Sequence, residues 1–235
     1  MEDLDLARLT PEATPAALAE WQRGQPPGAE LDVHGRWFGP VPFTLVATGA
    51  GTTVLTATEG LGLAKWRLRR DATLADLVAP QLRVLIVGLN PSVVAAETGV
   101  PFVGPSNRFW GAALDAGLVP ADRDPWRAFV DAHVGFTDLV KRATPRADSL
   151  TRAEYEDGAA RVRAVVDWLT PAVVCFAGLT GYRRAVDAQA AVGEQSTRFC
   201  DATTYVMPNP SGANAHATRD GLAAHLGAVR ALAVN

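Results

Sequence analysis

The sequence is poor in the residues that build metal and disulfide sites. Its 235 residues include two cysteines, Cys175 and Cys200, and four histidines. Two isolated cysteines make neither a disulfide framework nor a metal-spaced set. His34, His133, His216 and His225 are scattered, and no pair has ligand spacing. No stretch approaches the ~18 consecutive apolar residues of a membrane span. Internal repeats and low-complexity tracts are also missing. So is an excess of positive charge: 22 Lys+Arg stand against 25 Asp+Glu, a net charge of -3. That balance argues against binding nucleic acid by bulk electrostatics and leaves room for a small footprint with a local basic rim. Candidates for the rim are Arg67, Arg69, Arg70, Arg108, Lys141, Arg142 and Arg146. The plain alternative is a solvated charged surface. The acidic start MEDLDLARLTPEA lacks the pattern of a secretory signal, so a cytoplasmic protein is expected.

What is present is a change of rhythm near residue 80. Before it, Pro15 to Arg23 is a short helix candidate, and Gly24 to Gly28 is a turn run. Phe43 to Thr48 and Thr52 to Thr58 are rich in Val, Thr and Leu and flank Gly49-Ala50-Gly51, which predicts a β-hairpin. Lys65 to Arg70 alternates apolar and basic residues and suits a third strand. Thr73 to Val78 reads as one or two helical turns stopped by Pro80. A lone hairpin is marginal in water, so residues 1–80 are expected to form a hairpin-rich attachment packed on the rest.

From residue 81 to 235 strands and helices alternate. Strands are expected at Val84 to Leu89, Val134 to Val140, Ala172 to Ala177 and Thr203 to Met207. Helices are expected at Ser106 to Ala116, capped by Ser106, at Thr151 to Leu169, at Gly181 to Ala191 and at Thr218 to Ala233. Thr151 with Glu154 three residues later is a capping box. The alternation predicts an α/β fold: a three-layer α/β/α domain with a short, mostly parallel central sheet. In such sheets the ligand site lies beyond the carboxyl ends of the strands.

Two loops at such ends share one grammar. Val84 to Val87 runs into Gly88-Leu89-Asn90-Pro91-Ser92, and Val206-Met207 runs into Pro208-Asn209-Pro210-Ser211-Gly212. The first has neither the spacing nor the lysine of a phosphate loop, and irregular chain from Val93 to Pro105 delays any helix. Asn90 can cap its own backbone or present an amide to a ligand. Phe102, between Pro101 and Val103-Gly104-Pro105, is either a core aromatic or a platform for a planar ring. Arg108 near a helix start opposes the dipole, which suggests an anionic partner. Asp138 is a lone carboxylate at a strand end. It is read as a cap, as half of an ion pair with Lys141 or Arg142, or as a base that activates water.

Taken together, the motifs resemble the mismatch-specific uracil-DNA glycosylase and thymine-DNA glycosylase family, within the uracil-DNA glycosylase superfamily. The family's GINPG is similar to Gly88 to Ser92 here. Its TGFPF…P.NRFW pattern is matched without a gap by Thr98 to Phe102 and by Pro105 to Trp110. GFTDLVKRAT, from Gly135 to Thr144, resembles a further block, and NPSG stands at Asn209 to Gly212. The resemblance covers about Leu82 to Asn235.

The resemblance implies a DNA-repair glycosylase that flips uracil, or thymine or another damaged base, out of duplex DNA, mainly at G mismatches, and hydrolyses its N-glycosidic bond. It implies a monomer that needs no metal or cofactor. The implied partner is double-stranded DNA carrying uracil or a G mismatch, with single-stranded DNA a further candidate. Asn90 is implied to position the water, and Asp138 competes for its activation. Gly88, Leu89, Phe102 and Asn209 are implied to bind the base. Ser211, Gly212, Ala213, Asn214 and Arg108 are implied to enter or contact the duplex. Ser92 replaces the family's second glycine. Ala213-Asn214 stands where a leucine wedge is familiar, so weaker activity on duplexes is expected. The other readings are an α/β enzyme or binder of a free nucleobase or nucleotide, and an inactive DNA-binding relative.

Overall fold

The fold was analysed in a computed structural model that describes residues 2–60 and 63–234. Residues 2–70 form a four-stranded sheet with two helices. In chain order these are β1 (Glu2–Asp5), α1 (Thr14–Gly24), β2 (Glu30–Gly35), α2 (Phe43–Gly49), β3 (Thr52–Gly60) and β4 (Leu63–Arg70). The strand order is β1-β2-β4-β3. The hairpin is therefore β3–β4, and the first of the two predicted hairpin strands is a helix. Phe43, Val46, Ala47 and Gly49 are its buried positions, a helical rather than alternating spacing. The β-branched Thr44, Val46 and Thr48 suggest a strand locally, and burial of that face overrides them. Gly51, at φ +72°, makes the turn into β3 in a region that favours glycine. In β4, Ala64, Trp66, Leu68 and Arg70 all face inward.

The rest of the chain builds a second sheet. Its elements are β5 (Val84–Gly88), α3 (Val93–Thr98), α4 (Phe109–Asp115), α5 (Pro125–Ala132) and β6 (Val134–Asp138). Then come α6 (Arg152–Leu169), β7 (Val173–Ala177), α7 (Leu179–Ala185), β8 (Gly193–Glu194), β9 (Thr203–Met207) and α8 (Arg219–Leu232). The order is β6-β5-β7-β9-β8, parallel except for β8. Every residue of β5, β6 and β7 is buried, as expected of parallel strands covered on both faces. Val84 and Ile86 pack with Phe109, Trp110 and α8 on one face. Leu85 and Val87 pack with α6 on the other. The α/β class and its layers are as the alternation predicts.

Several local expectations are corrected. Val93 to Thr98 is helical, because Ser92 accepts from Ala95 N at 3.1 Å and caps it. The Ser106 helix starts only at Phe109, with Arg108 at the N-cap and no side-chain cap. Helix α7 spans Leu179–Ala185 and stops well short of Ala191. Thr73 to Val78 is extended. Leu77 N donates to Phe136 O at 2.9 Å and Phe136 N to Leu77 O at 3.0 Å, so this segment covers the edge strand β6. The capping box on α6 is present, with Thr151 and Glu154 exchanging bonds.

The N-terminal sheet has its own core, to which Ala164 and Trp168 of α6 also pack. Trp37 meets Trp168 edge-on at 6.0 Å, and the Arg23 guanidinium lies 5.2 Å from the centre of the Trp126 ring. Asp76 N donates to Gly49 O at 2.8 Å, which ties α2 to the second sheet.

Candidate active site

The carboxyl ends of β5 and β6 are zipped together beyond the sheet. Leu139 N donates to Gly88 O and Val140 N to Leu89 O, each at 2.9 Å, and Thr144 N donates to Pro91 O at 3.1 Å. This pairing places Asn90 against the 142–144 segment. Asn90 Nδ2 donates to Thr144 Oγ1 at 2.8 Å and to the carbonyls of Arg142 and Pro91, both at 3.1 Å. Carbonyls only accept, and the Thr144 hydroxyl donates elsewhere, to Arg146 O at 3.0 Å. The amide nitrogen therefore faces these three groups, and the side-chain oxygen faces away. Among the described residues nothing donates to Asn90 Oδ1. The side chain is half-buried.

Asp138 lies deeper, 7 % exposed, beside Gly88 in the parallel register. A β-carbon on residue 88 would stand 2.3 Å from Asp138 Oδ1 and 3.5 Å from Phe102 Cζ. Glycine at this position is what lets the carboxyl and the ring approach one another. The anticipated ion pairs of Asp138 do not form. Lys141 bonds Asp76 at 2.8 Å and Arg142 bonds Glu154 at 2.6 Å. No described residue donates to the Asp138 carboxyl, while Arg161 and Thr137 use only its main-chain oxygen. Burial pushes its pKa up to about 6; Lys141 opposes, Asp76 reinforces and Arg161 opposes.

Behind it sits a network that the sequence does not announce. Asp76, 2 % exposed, accepts from Thr137 Oγ1 at 2.7 Å and from Lys141 Nζ at 2.8 Å, and it pairs with Arg161. Burial works against its charge, yet Arg161 and Lys141 hold its pKa below the usual value. In sequence, Asp76 is a single carboxylate in an apolar stretch and Arg161 one of many charges on a long helix. Their meeting comes from the extended path of residues 73–78.

Phe102 lies in the left-handed region at φ +57°, a costly place for a bulky side chain that persists only where its surroundings hold it. They do. One face of its ring stacks on Phe109 with centroids 4.4 Å apart, and Trp110 Nε1 anchors the preceding residue by donating to Pro101 O at 2.7 Å. The ring remains partly exposed.

The second loop comes to the same rim. Arg108 N donates to Pro210 O at 3.0 Å. Gly212 lies so close to Ser106 that a β-carbon there would meet its Oγ at 2.3 Å. Asn209 is exposed, and its Oδ1 accepts from Ser211 N at 2.9 Å. Its Nδ2 has no acceptor among the described residues and lies 3.8 Å from where a β-carbon on Gly178 would stand. Asn214 Nδ2 donates to Asn209 O at 3.0 Å, and Arg108 Nη1 reaches Asn214 O at 3.4 Å. Ser211, Gly212 and Asn214 are half-buried and Ala213 is exposed, so this loop presents small and polar groups. Leu89 packs towards α7: its Cδ1 stands 3.2 Å from where a β-carbon on Gly181 would lie. The expected basic rim is largely neutralised. Arg67 pairs with Asp32, Arg142 with Glu154 and Arg146 with Asp148.

Beside Asp138 opens a cleft of about 630 Å³. Phe136, Val100 and Pro101 line it on the second sheet's side, and Gln22, Arg23 and Arg70 on the N-terminal side. Among the described residues no group of His, Cys, Asp and Glu is placed to hold a metal. No helix of the described chain is long and apolar enough to cross a membrane.

The two Asn-Pro loops, 119 positions apart in sequence, thus flank one site that holds an amide oxygen, a partly exposed ring and a buried carboxyl. Residues 75–233 match the family model described as the uracil DNA glycosylase superfamily, a span that begins just before Asp76 and takes in both loops. The chain belongs to the uracil DNA glycosylase superfamily.

Proposed function

We propose that the protein is a monofunctional glycosylase that removes uracil from DNA, most efficiently opposite guanine, in the manner of the mismatch-specific and thymine-DNA glycosylases. The flipped base stacks on the free face of Phe102, and Asn209 Nδ2 donates to a base carbonyl. Ser211 to Asn214, with Arg108, contact the strand the base has left. Flipping costs a few kcal/mol and is cheapest at a mismatch, which favours G·U over A·U.

Depth in the site divides the labour between Asn90 and Asp138. Asp138 is buried beside the ring, at the base end. Asn90 is two residues further out, at the sugar end. Asn90 Oδ1 accepts a hydrogen bond from water and aims its oxygen at C1′. The C1′–N1 bond breaks and its electron pair leaves on the base. The water oxygen bonds to C1′, and its surplus proton passes to solvent. An amide is too weak a base to take that proton, so the acceleration comes from positioning and from donors facing the departing anion. The Asp138 carboxyl, when neutral, offers one donor and one acceptor. These match a base carbonyl and the neighbouring N3–H.

The observation that carries this reading is the commitment of the Asn90 amide nitrogen to three acceptors, which leaves its oxygen as the free end. Cleavage of oligonucleotides carrying one uracil, opposite G, opposite A or in a single strand, tests it. Abasic-site formation fastest opposite G supports the proposal. Tight binding of free uracil without cleavage of any strand would place the protein among free-base binders.

A further inference from the structure

The family match begins at residue 75, yet residues before it are bonded into the frame behind the site. Two close approaches show how tightly. A β-carbon on Gly49 would stand 2.7 Å from Asp76 Oδ2, and one on Gly51 would stand 2.9 Å from both Gln22 Nε2 and Thr73 Cγ2. The turn from α2 into β3 is therefore pressed against the extended segment 73–78, and the bond from Asp76 N to Gly49 O closes the seam.

Polar side chains run through this seam, where apolar ones would pack as well. Gln22 lies on the buried face of α1 with Leu18 and Ala19, and Thr73 is buried too. A buried polar group is costly unless its bonds are made, and here they form a relay. Arg70 Nε donates to Gln22 O at 3.0 Å, and Gln22 Nε2 donates to Thr73 O at 2.8 Å. Thr73 Oγ1 in turn donates to Lys141 O. Arg142, the next residue, offers the carbonyl that accepts from Asn90 Nδ2 at 3.1 Å. The chain from Val140 to Thr144 is tied to the β5 loop at its two ends, by Val140 N to Leu89 O and Thr144 N to Pro91 O. Between these ties Thr73 holds it from one side and Asn90 bears on it from the other. Lys141 is gripped twice by the 73–78 segment, its carbonyl by Thr73 and its Nζ by Asp76 at 2.8 Å. The direction of the Asn90 amide is only as fixed as the groups that receive its nitrogen.

We propose that Thr73 is a positioning residue for excision. With Gln22 behind it, Thr73 fixes the 141–144 segment and, through that segment, the Asn90 amide. The N-terminal sheet and its helices are then a working part of the active site rather than an attachment to it. This inference rests on the glycosylase reading above. Thr73 touches no reacting atom. It acts on the distance and angle of the water held by Asn90 Oδ1, to which the rate is sensitive.

Single-turnover excision of uracil from a G·U duplex tests it, with affinity for the uncleaved duplex and melting temperature measured alongside. Thr73→Val keeps the shape and removes the donor. Its rate is expected to fall about tenfold with affinity retained. Thr73→Ser restores the hydroxyl and is expected to recover most of that loss. Thr52→Val is the matched control. Thr52 is also buried, and its Oγ1 donates to Ala47 O at 2.8 Å within the N-terminal core. This control is expected to lower the melting temperature and leave the rate unchanged. If Thr73→Val does not fold, Gln22→Met, which removes the donor to Thr73 O, decides in its place by the same fall in rate. A wild-type rate in the variant that decides overturns the proposal. So does an equal loss in Thr73→Ser or Thr52→Val, which would mark the effect as one of packing. Either result, with a wild type that cuts uracil DNA, leaves the glycosylase reading standing. A wild type that cuts no strand overturns both.

Discussion

Asn90 Nδ2 donates to Thr144 Oγ1 at 2.8 Å, and the same hydroxyl donates onward to Arg146 O at 3.0 Å. The chain fixes which end of the amide meets the site. Thr144 is a positioning residue in this scheme, because it acts through Asn90. Replacing it with valine keeps the shape and removes the acceptor. Single-turnover excision of uracil should fall about tenfold or more, since small misplacements of a positioning group are costly. Affinity for uncleaved uracil DNA and melting temperature should change little. A parallel drop in affinity would place Thr144 in DNA binding instead.

Asp138 permits a test by sign. As a base-facing acid it is most useful when neutral. Its share of the rate should then decline as pH rises through about 6. Asp138→Asn, which keeps one donor and one acceptor, should flatten that decline. As a general base for water, Asp138 would give the opposite slope, and the asparagine variant would be inactive at every pH. The ratio of variant to wild-type single-turnover rates between pH 5 and pH 8 separates the two roles.

Stability follows from the same carboxyl. Its folded pKa, about 6, lies above the 3.8 of a free aspartate side chain, so the native state binds the proton more tightly than the unfolded chain. The contribution to stability is fully present below pH ~4 and lost as pH rises through about 6. At pH 8 the native state carries a buried carboxylate, and Asp138→Asn should be more stable than wild type by about 3 kcal/mol. The difference should vanish at low pH. Denaturant unfolding at pH 4 and pH 8 measures it. A variant less stable than wild type at both pH values would show an uncounted partner of the carboxylate.

Asp76 gives the reverse case. It faces Arg161 and Lys141 with 2 % of its own surface exposed. Asp76→Ala leaves two cations without their partner and should cost about 3–5 kcal/mol, read from urea unfolding. Excision should suffer with it, because Arg161 also donates to the main chain of Asp138. A loss below 1 kcal/mol would show that water replaces the carboxylate freely.

Residues that act through the chain's own periodicity were legible in advance. The fully apolar runs of β5 and β7, the Thr151–Glu154 cap and the two Asn-Pro loops each carry their meaning within a few positions. Helix α2 was not legible, because its β-branched residues favour a strand and only burial of Phe43, Val46 and Ala47 reverses this. Ser106 looked like a helix cap, but its close packing with Gly212 assigns it to the junction of the loops. The partners of Lys141 and Arg142 are not legible locally. Asp76 stands 65 positions from Lys141, and Glu154 lies across the turn into α6 from Arg142, so both are delivered by the fold. Arg70 shows the same limit, since its burial depends on α1 and on the β4 register.

Asn90→Ala is the most direct measurement. Single-turnover excision of uracil from a G·U duplex should fall by orders of magnitude, with binding of the uncleaved duplex and melting temperature retained. Full activity in that variant would contradict the account and move the water to Asp138.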